Sequence, residues 1–216
     1  MAQLPQVHSI VSMPFDENTY AVWQKGRSEA ILVDPGLEPA LILDFLKKQS
    51  LTVALILNTH GHADHIGGNR AIKQAYPDAP LVIGAEEAHL LTDANANLSA
   101  GFGMPITSPP ADRTVSEGDV IEAAGIRLEV LEVPGHSPGH VVFLHRSQPC
   151  LIFGGDVLFQ GSVGRTDFPN SRPEIFLDGI RRKLLTLPPD TVVYPGHGPT
   201  TTIGYEQRTN PFVGAS

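Results

Sequence analysis

The 216 residues carry 41% hydrophobic and 18% charged side chains, enough apolar content for one sizeable globular core. A formal net charge of −8, with no long run of Lys or Arg, argues against nucleic acid or a lipid surface as a partner. Residues 1–10 lack a basic segment leading into an apolar stretch, the apolar runs at 53–57 and 150–153 are too short to span a bilayer, and the single Cys150 forbids an internal disulfide. The expectation is a protein of the reducing cytoplasm with no membrane partner.

Strand-like runs punctuated by Gly and Pro are predicted at 18–23, 30–33, 53–57, 81–83, 120–123, 126–133, 140–145, 151–153 and 191–194. Helical periodicity is predicted at 41–49, where Leu41, Ile42, Phe45 and Leu46 share a face, and again at 64–76 and 173–187. The stretch 92–111, rich in Ala, Asn, Gly and Pro, reads as a long loop, a kind that often carries function, and it is expected to shape substrate access. Strands and helices mix in the first half and the last third, strands dominate the centre, and no boundary divides the chain. One domain over 1–216, with two sheets covered by helices, is the prediction.

The strand predicted at 53–57 runs into His60-Gly-His62-Ala-Asp64-His65, four candidate ligands within six positions. Two histidines two residues apart in a loop can aim both imidazoles at one point. Asp64 and His65 open the following helix and can face a neighbouring point, while Gly67-Gly68 permits close backbone approach. Imidazole nitrogen and carboxylate oxygen are the ligands that borderline divalent metals such as zinc take, and a catalytic ion typically keeps one position open beyond three protein ligands. Further ligands stand where other apolar runs give way to Gly: His136 in Val133-Pro-Gly-His136, Asp156 in Phe153-Gly-Gly-Asp156 and His197 in Tyr194-Pro-Gly-His197. Four strand ends converging on one site is the economical reading. A lone His after Gly is more often a loop or cap residue, so it is the crowding at 60–65 that carries the argument. His8, His89 and His145 lack such context and are assigned to surface or packing. His140 is assigned to satisfying buried backbone groups, with a place behind the ligands as the alternative.

Thr59-His60-Gly-His62-Ala-Asp64-His65, followed in order by His136, Asp156 and His197 and preceded by Ile31-Leu-Val-Asp34-Pro-Gly36, resembles the metallo-β-lactamase-fold superfamily over about 18–210. The resemblance implies an α+β fold, a four-layer αββα sandwich with metals at one edge of its sheets. It implies His60, His62 and His136 on one ion, Asp64, His65 and His197 on a second, and Asp156 bridging both. Asp34 would lie behind the cluster; as a plain sequence feature it is equally a turn-forming Asp before Pro35. Asp156 stands where the best-known zinc β-lactamases put Cys or Ser, which argues against antibiotic hydrolysis, and His62 stands where flavodiiron proteins carry Glu. The additional domains of the nuclease branches have no counterpart. Segments 155–169, 195–199 and 204–212 look like the short bacterial glyoxalase II type, which lacks the C-terminal helical domain. Full-length members hold glutathione with Lys or Arg followed by two aromatics; here Arg165 is kept, and Thr166 and Asp167 replace the aromatics.

What the resemblance implies is a dinuclear metal-dependent thioesterase acting on S-lactoylglutathione or a related hydroxyacyl thioester through a hydroxide held between the ions. Zinc is the first expectation, with iron or manganese as alternatives. Asp156 would fix the intermetal spacing, Asp64 would orient the hydroxide while ligating, and Arg165 would bind an anionic part of the substrate, its alternative role being a pair with Asp167. The partner is a small thioester, with the oligomeric state left open. The runner-up is a persulfide dioxygenase, resembled through Gly164-Arg165-Thr166-Asp167-Phe168, which would hold one iron at positions matching His60, His136 and Asp156. A purely structural zinc site, usually closed and Cys-rich, fits seven His and Asp ligands poorly.

Overall fold

The computed structural model describes residues 4–214; residues 1–3 of the stretch read for a leader and the last two of the 1–216 domain lie outside the described residues. In chain order the strands are β1 (Gln6–Ser12), β2 (Glu17–Trp23), β3 (Glu29–Val33), β4 (Thr52–Asn58), β5 (Leu81–Gly84), β6 (Arg113–Val115), β7 (Val120–Ala123), β8 (Ile126–Glu132), β9 (Val141–His145), β10 (Leu151–Gly155), β11 (Leu158–Phe159), β12 (Ser162–Val163), β13 (Val192–Pro195) and β14 (Thr201–Thr202). The α-helices are α1 (Pro39–Gln49), α2 (Ala63–Ile66), α3 (Asn69–Ala75), α4 (Pro173–Gly179) and α5 (Ile203–Thr209).

Among the described residues these strands form two six-stranded sheets, ordered β1-β2-β3-β4-β5-β6 and β14-β13-β10-β9-β8-β7, and a small β11-β12 hairpin. Both large sheets are mixed. β3 through β6 run parallel because α1 crosses between β3 and β4, α2 and α3 between β4 and β5, and the irregular segment 85–112 between β5 and β6, whereas β1, β2 and β3 are antiparallel; in the second sheet β10 and β13 are the parallel pair.

Strand alternation sends side chains of each sheet into two different cores. Tyr20, Val22, Ile31, Val33, Leu55 and Leu57 of the first sheet meet Leu128, Val130, Val141, Phe143 and Phe153 of the second in a central cluster. The other face of the first sheet, with Ala30, Leu32 and Ile56, packs on Ile42 and Leu46 of α1 and Ile72 of α3. The other face of the second, with Val142, Leu144, Ile152 and Val193, packs on Phe176, Ile180, Leu184 and Ile203. Three interfaces make four layers, and the αββα sandwich is the observed architecture. Each fully buried Leu, Ile, Val or Phe in it contributes about 1.5–3 kcal/mol relative to exposure.

Local sequence explains the element boundaries and several departures from expectation. In α1, Pro39 suits a first helical turn, where no amide partner is needed, and Ser50 closes the helix in the left-handed region at φ 55°. Leu41, expected on the buried face, is 46% exposed, because only Ile42 and Leu46 reach the sheet fully. The helix predicted over 64–76 is two pieces: the Gly68 amide donates to the carbonyl of Pro35 rather than continuing one helix, and a Cβ there would collide with Pro35 and Gly36 backbone. The helix predicted over 173–187 changes at Ile180–Leu184 into a π-type turn. β1 and α5 escape the periodicity reading, and 92–111 is irregular as expected apart from a 3₁₀ turn at Ser99–Phe102. No helix among the described residues is long and apolar enough to cross a membrane.

Candidate metal centre

Segments leaving β4, β8, β10 and β13 bring together every ligand named from the sequence. His60 and His62 follow β4, His65 lies in α2, His136 follows β8, Asp156 directly follows β10, and His197 follows β13. The meeting of four strand ends is therefore observed.

Two groups of donor atoms result. In the first, His60 Nε2 lies 3.1 Å and His136 Nε2 3.0 Å from His62 Nδ1. In the second, Asp64, His65 and His197 offer ligand atoms within 4.8 Å of one another, with Asp64 Oδ2 at 3.4 Å from His197 Nε2 and 3.8 Å from His65 Nε2. Asp156 stands between them. Its Oδ1 is 3.4 Å from His65 Nε2 and 3.5 Å from His197 Nε2, while its Oδ2 is 3.5 Å from His136 Nε2.

The far side of four of the five rings, those of His60, His65, His136 and His197, meets a protein acceptor, which sets which nitrogen faces inward. His136 Nδ1 donates to the Arg165 carbonyl at 2.8 Å, and His197 Nδ1 donates to the Phe15 carbonyl at 2.9 Å. Asp34 takes the amide and hydroxyl of Thr59, each at 2.7 Å, and His65 Nδ1 at 3.1 Å. With its proton committed to Asp34, the Thr59 oxygen accepts from His60 Nδ1 at 3.1 Å. Asp34 thus lies behind the cluster, although its φ of 49° also makes it a turn residue. His140 accepts the Asp156 amide on Nε2 at 3.1 Å and stacks on His60, so it satisfies a buried backbone group as assigned. His8 stacks on Phe45, and buried His145 bonds the Arg127 carbonyl.

These donors fit divalent cations. His60 and His136 both present Nε2 lone pairs to His62 Nδ1, which has at most one proton to give, so at least one contact among the three rings lacks a hydrogen. His65 Nε2 and Asp156 Oδ1 are buried without a hydrogen-bond partner. Buried polar atoms left this way are costly, and a cation among them removes the cost. The electrostatics divide the same way. Burial pulls His60 well below the ordinary imidazole range and His62 down to about 3, the latter assisted by neighbouring His136, so these rings stay neutral, the form in which imidazole can ligate a cation. Burial also opposes a charge on His65 and His197, but Asp64 and Asp156 outweigh it and both are raised. Burial likewise works against the Asp156 carboxylate, yet His65, with His197 and His136, holds it far below the usual range. Protons stand in the second group where a cation would compensate the two carboxylates.

Glu87, which no sequence signal marked, ties two ligand loops together. Fully buried, it accepts the amide of Gly61 at 2.9 Å and that of Gly139 at 2.6 Å, linking the loop of His60 and His62 to the loop of His136. In the sequence it is one of two adjacent acids in Ala85-Glu-Glu87-Ala88, with nothing to set it apart from its neighbour. Gly196 is required for space: a Cβ there would run into Asp156 Oδ1 and the His65 ring. Arg165 lines the cavity above the cluster, but its guanidinium donates to both carboxylate oxygens of Asp167 at 2.7 Å, the pairing weighed as its alternative role.

The sequence profile of the Metallo-beta-lactamase superfamily matches residues 13–197. The hydroxyacylglutathione hydrolase GloC of Haemophilus influenzae is 37% identical over 92% of this chain and 93% of its own. Among solved structures, that of BLEG-1, described as a B3 metallo-beta-lactamase, aligns with a TM-score of 0.92 at 36% identity, covering 97% of this chain and 100% of that one. TTHA1623, solved in a di-iron-bound form, aligns with a TM-score of 0.83 at 39% identity, covering 95% and 100%.

Proposed function

The chain belongs to the metallo-beta-lactamase superfamily, and from its site we infer that it is a two-metal thioesterase, cleaving a hydroxyacyl thioester such as S-lactoylglutathione into a hydroxy acid and a thiol. The observation that carries this reading is Asp156, whose two carboxylate oxygens face opposite groups of donors. In it His60, His62 and His136 hold one ion, Asp64, His65 and His197 hold the other, and Asp156 spans them. Zinc is the first choice; the di-iron form of TTHA1623 supports iron, with manganese the further alternative.

Two divalent ions bound there supply Lewis acidity toward an acyl carbonyl and make water nucleophilic at neutral pH. The chain's own residues do the rest. Asp156 sets the spacing of the two groups. Asp64, at the floor of the cavity, orients the attacking water while ligating. The water oxygen bonds to the acyl carbon as the C–S bond breaks, the bonding pair leaves on sulfur, and the products are a carboxylate, a thiol and one released proton. A thiolate leaves with little protonation, so no separate general acid is needed. Arg165 holds His136 through its carbonyl, and its guanidinium stands where a substrate anion would have to displace Asp167.

Metal content measured on the purified protein, together with hydrolysis of S-lactoylglutathione followed by thioester absorbance, tests the reading. Close to two ions per chain and turnover abolished by Asp156→Ala are expected. A single iron with oxygen uptake on glutathione persulfide and no hydrolysis would replace it with the persulfide dioxygenase. The likeness to BLEG-1 favours a second reading, β-lactam hydrolysis. A chromogenic cephalosporin turned over faster than any thioester would establish that one instead.

A further inference from the structure

The cavity above the metal centre measures about 410 Å³, within the roughly 300–1,000 Å³ of small-molecule sites. Its floor is the ligand cluster. Its walls are apolar: Phe15 from the β1-β2 turn, Leu98, Phe102, Met104 and Ile106 from one loop, and Phe168. Phe102 is 63% exposed, Met104 44% and Phe15 43%. Large side chains left in water around one cavity mark a surface that awaits an apolar ligand.

The polar lining groups outside the cluster turn their hydrogen bonds inward. Asn97 donates to the carbonyls of Leu90 at 3.1 Å and Ile106 at 2.9 Å, and its Oδ1 accepts from the amide of Ser99 at 3.1 Å and its hydroxyl at 2.6 Å. The Ser99 hydroxyl oxygen in turn accepts the Ile106 amide at 2.9 Å, and the Ser162 hydroxyl donates to the Val163 carbonyl. Arg165, the one Lys or Arg among the described lining residues, is gripped by Asp167 and lies 4.2 Å over the ring of Phe168. A glutathionyl arm carries two carboxylates and an ammonium. Against this wall those charges find no partner but Arg165, which they would have to take from Asp167, whereas a hydrocarbon arm finds contact throughout.

Resting on the thioesterase reading, we propose that the loop 97–106, with Phe15 and Phe168, seats an apolar arm of the substrate. The preferred substrate is then a hydroxyacyl thioester of a neutral, hydrocarbon-bearing thiol rather than of glutathione. Asn97 holds the loop in shape from within, and the exposed Phe102 ring and Met104 thioether it carries supply the contact.

The test compares, on the zinc-loaded protein, kcat/KM for S-lactoylglutathione and for the lactoyl thioester of benzyl mercaptan. Burial of a phenyl ring predicts a preference of at least about tenfold for the benzyl ester. Replacing both Phe102→Ser and Met104→Ser, exposed positions that the fold tolerates, is expected to shrink that preference by about tenfold through KM. Calorimetric affinities for the two thiol products, benzyl mercaptan and glutathione, give a readout independent of turnover, because both present the same sulfur and differ in the arm. S-lactoylglutathione as the better substrate, or glutathione as the tighter thiol, overturns the proposal while leaving the hydrolase intact. If neither thioester is cleaved with zinc, iron or manganese bound, the thioesterase reading fails, and the thiol affinities still decide whether the seat exists.

Discussion

The floor and the rim of one cavity are built by opposite means. On the floor, His60, His65, His136 and His197 each have a second protein group behind the ring, and the loops themselves are stitched by Glu87 and Asp34. At the rim, Phe102 and Met104 stand in water, and the hydrogen bonds around them only shape the loop that carries them; Phe15, exposed beside them in the β1-β2 turn, is tied to the floor through its carbonyl, which accepts from His197. Ligand geometry must be held within a fraction of an ångström, so it demands buried, fully partnered support; a surface that receives a hydrocarbon needs area and shape but no directed bonds. Substitutions in the floor should therefore act through metal content and stability, and those in the rim through KM.

The largest effect expected is at Asp156. Asp156→Asn keeps the volume and removes the charge between the two donor groups, and should cost more than about 100-fold in kcat/KM, beyond the 10–100-fold usual for groups behind the ligands. Metal analysis should show fewer than two ions per chain. Full activity with full metal content would break the idea that this carboxylate joins the two halves.

Glu87 comes next. Glu87→Ala leaves the Gly61 and Gly139 amides without acceptors in a buried place, at about 1–3 kcal/mol for each. Denaturant unfolding should register that loss, and competition with a chelator should show metal affinity down by roughly 10–100-fold. Unchanged affinity with lowered stability would mean that the loops stay aligned without their stitch.

In the rim, Asn97→Ala removes the hub that orders the loop while touching no ligand. Hydrogen exchange across 97–106 should rise, and KM for an apolar thioester should increase by about fivefold with metal content kept, consistent with a loss of roughly 1 kcal/mol in loop order. A drop in metal content would erase the division between floor and rim.

Smallest is a change outside both regions. Hydrogen bonds from Lys73 at 2.9 Å and the Leu81 amide at 2.7 Å hold the Asp112 carboxyl below its ordinary range. A group depressed on folding contributes stability above its unfolded value, and that contribution fades as pH falls through the folded one. Asp112→Asn should therefore cost under about 1 kcal/mol at pH 7 after solvent screening, and the gap from the parent protein should close on acidification toward pH 3. Urea unfolding of both proteins at the two pH values measures it.

The floor was legible in the sequence to an unusual degree. Four candidate ligands crowd into His60-Gly-His62-Ala-Asp64-His65, and His136, Asp156 and His197 each follow an apolar run and a Gly, a local pattern that survives without any knowledge of packing. Glu87 was not legible, because its partners are backbone amides 26 and 52 residues away and nothing local separates it from the adjacent Glu86. The rim was legible only as an irregular segment. Its order comes from one Asn side chain bonding to carbonyls seven and nine residues away, a relation without periodicity. Helix breaks were hidden for a similar reason: the amide of Gly68 leaves its helix for Pro35, a partner that only the fold brings near.

Sequence by itself determined which donor side chains could serve a metal, the strand ends that carry them and the apolar alternation that builds two covered sheets, since these depend on residue type and short spacing. Only the tertiary structure decided that Asp156 faces both donor groups, that Asp34 and Glu87 brace them, and that Arg165 is already paired beside an apolar wall. Those outcomes depend on distance in space between residues far apart in the chain, which packing sets and local pattern does not encode.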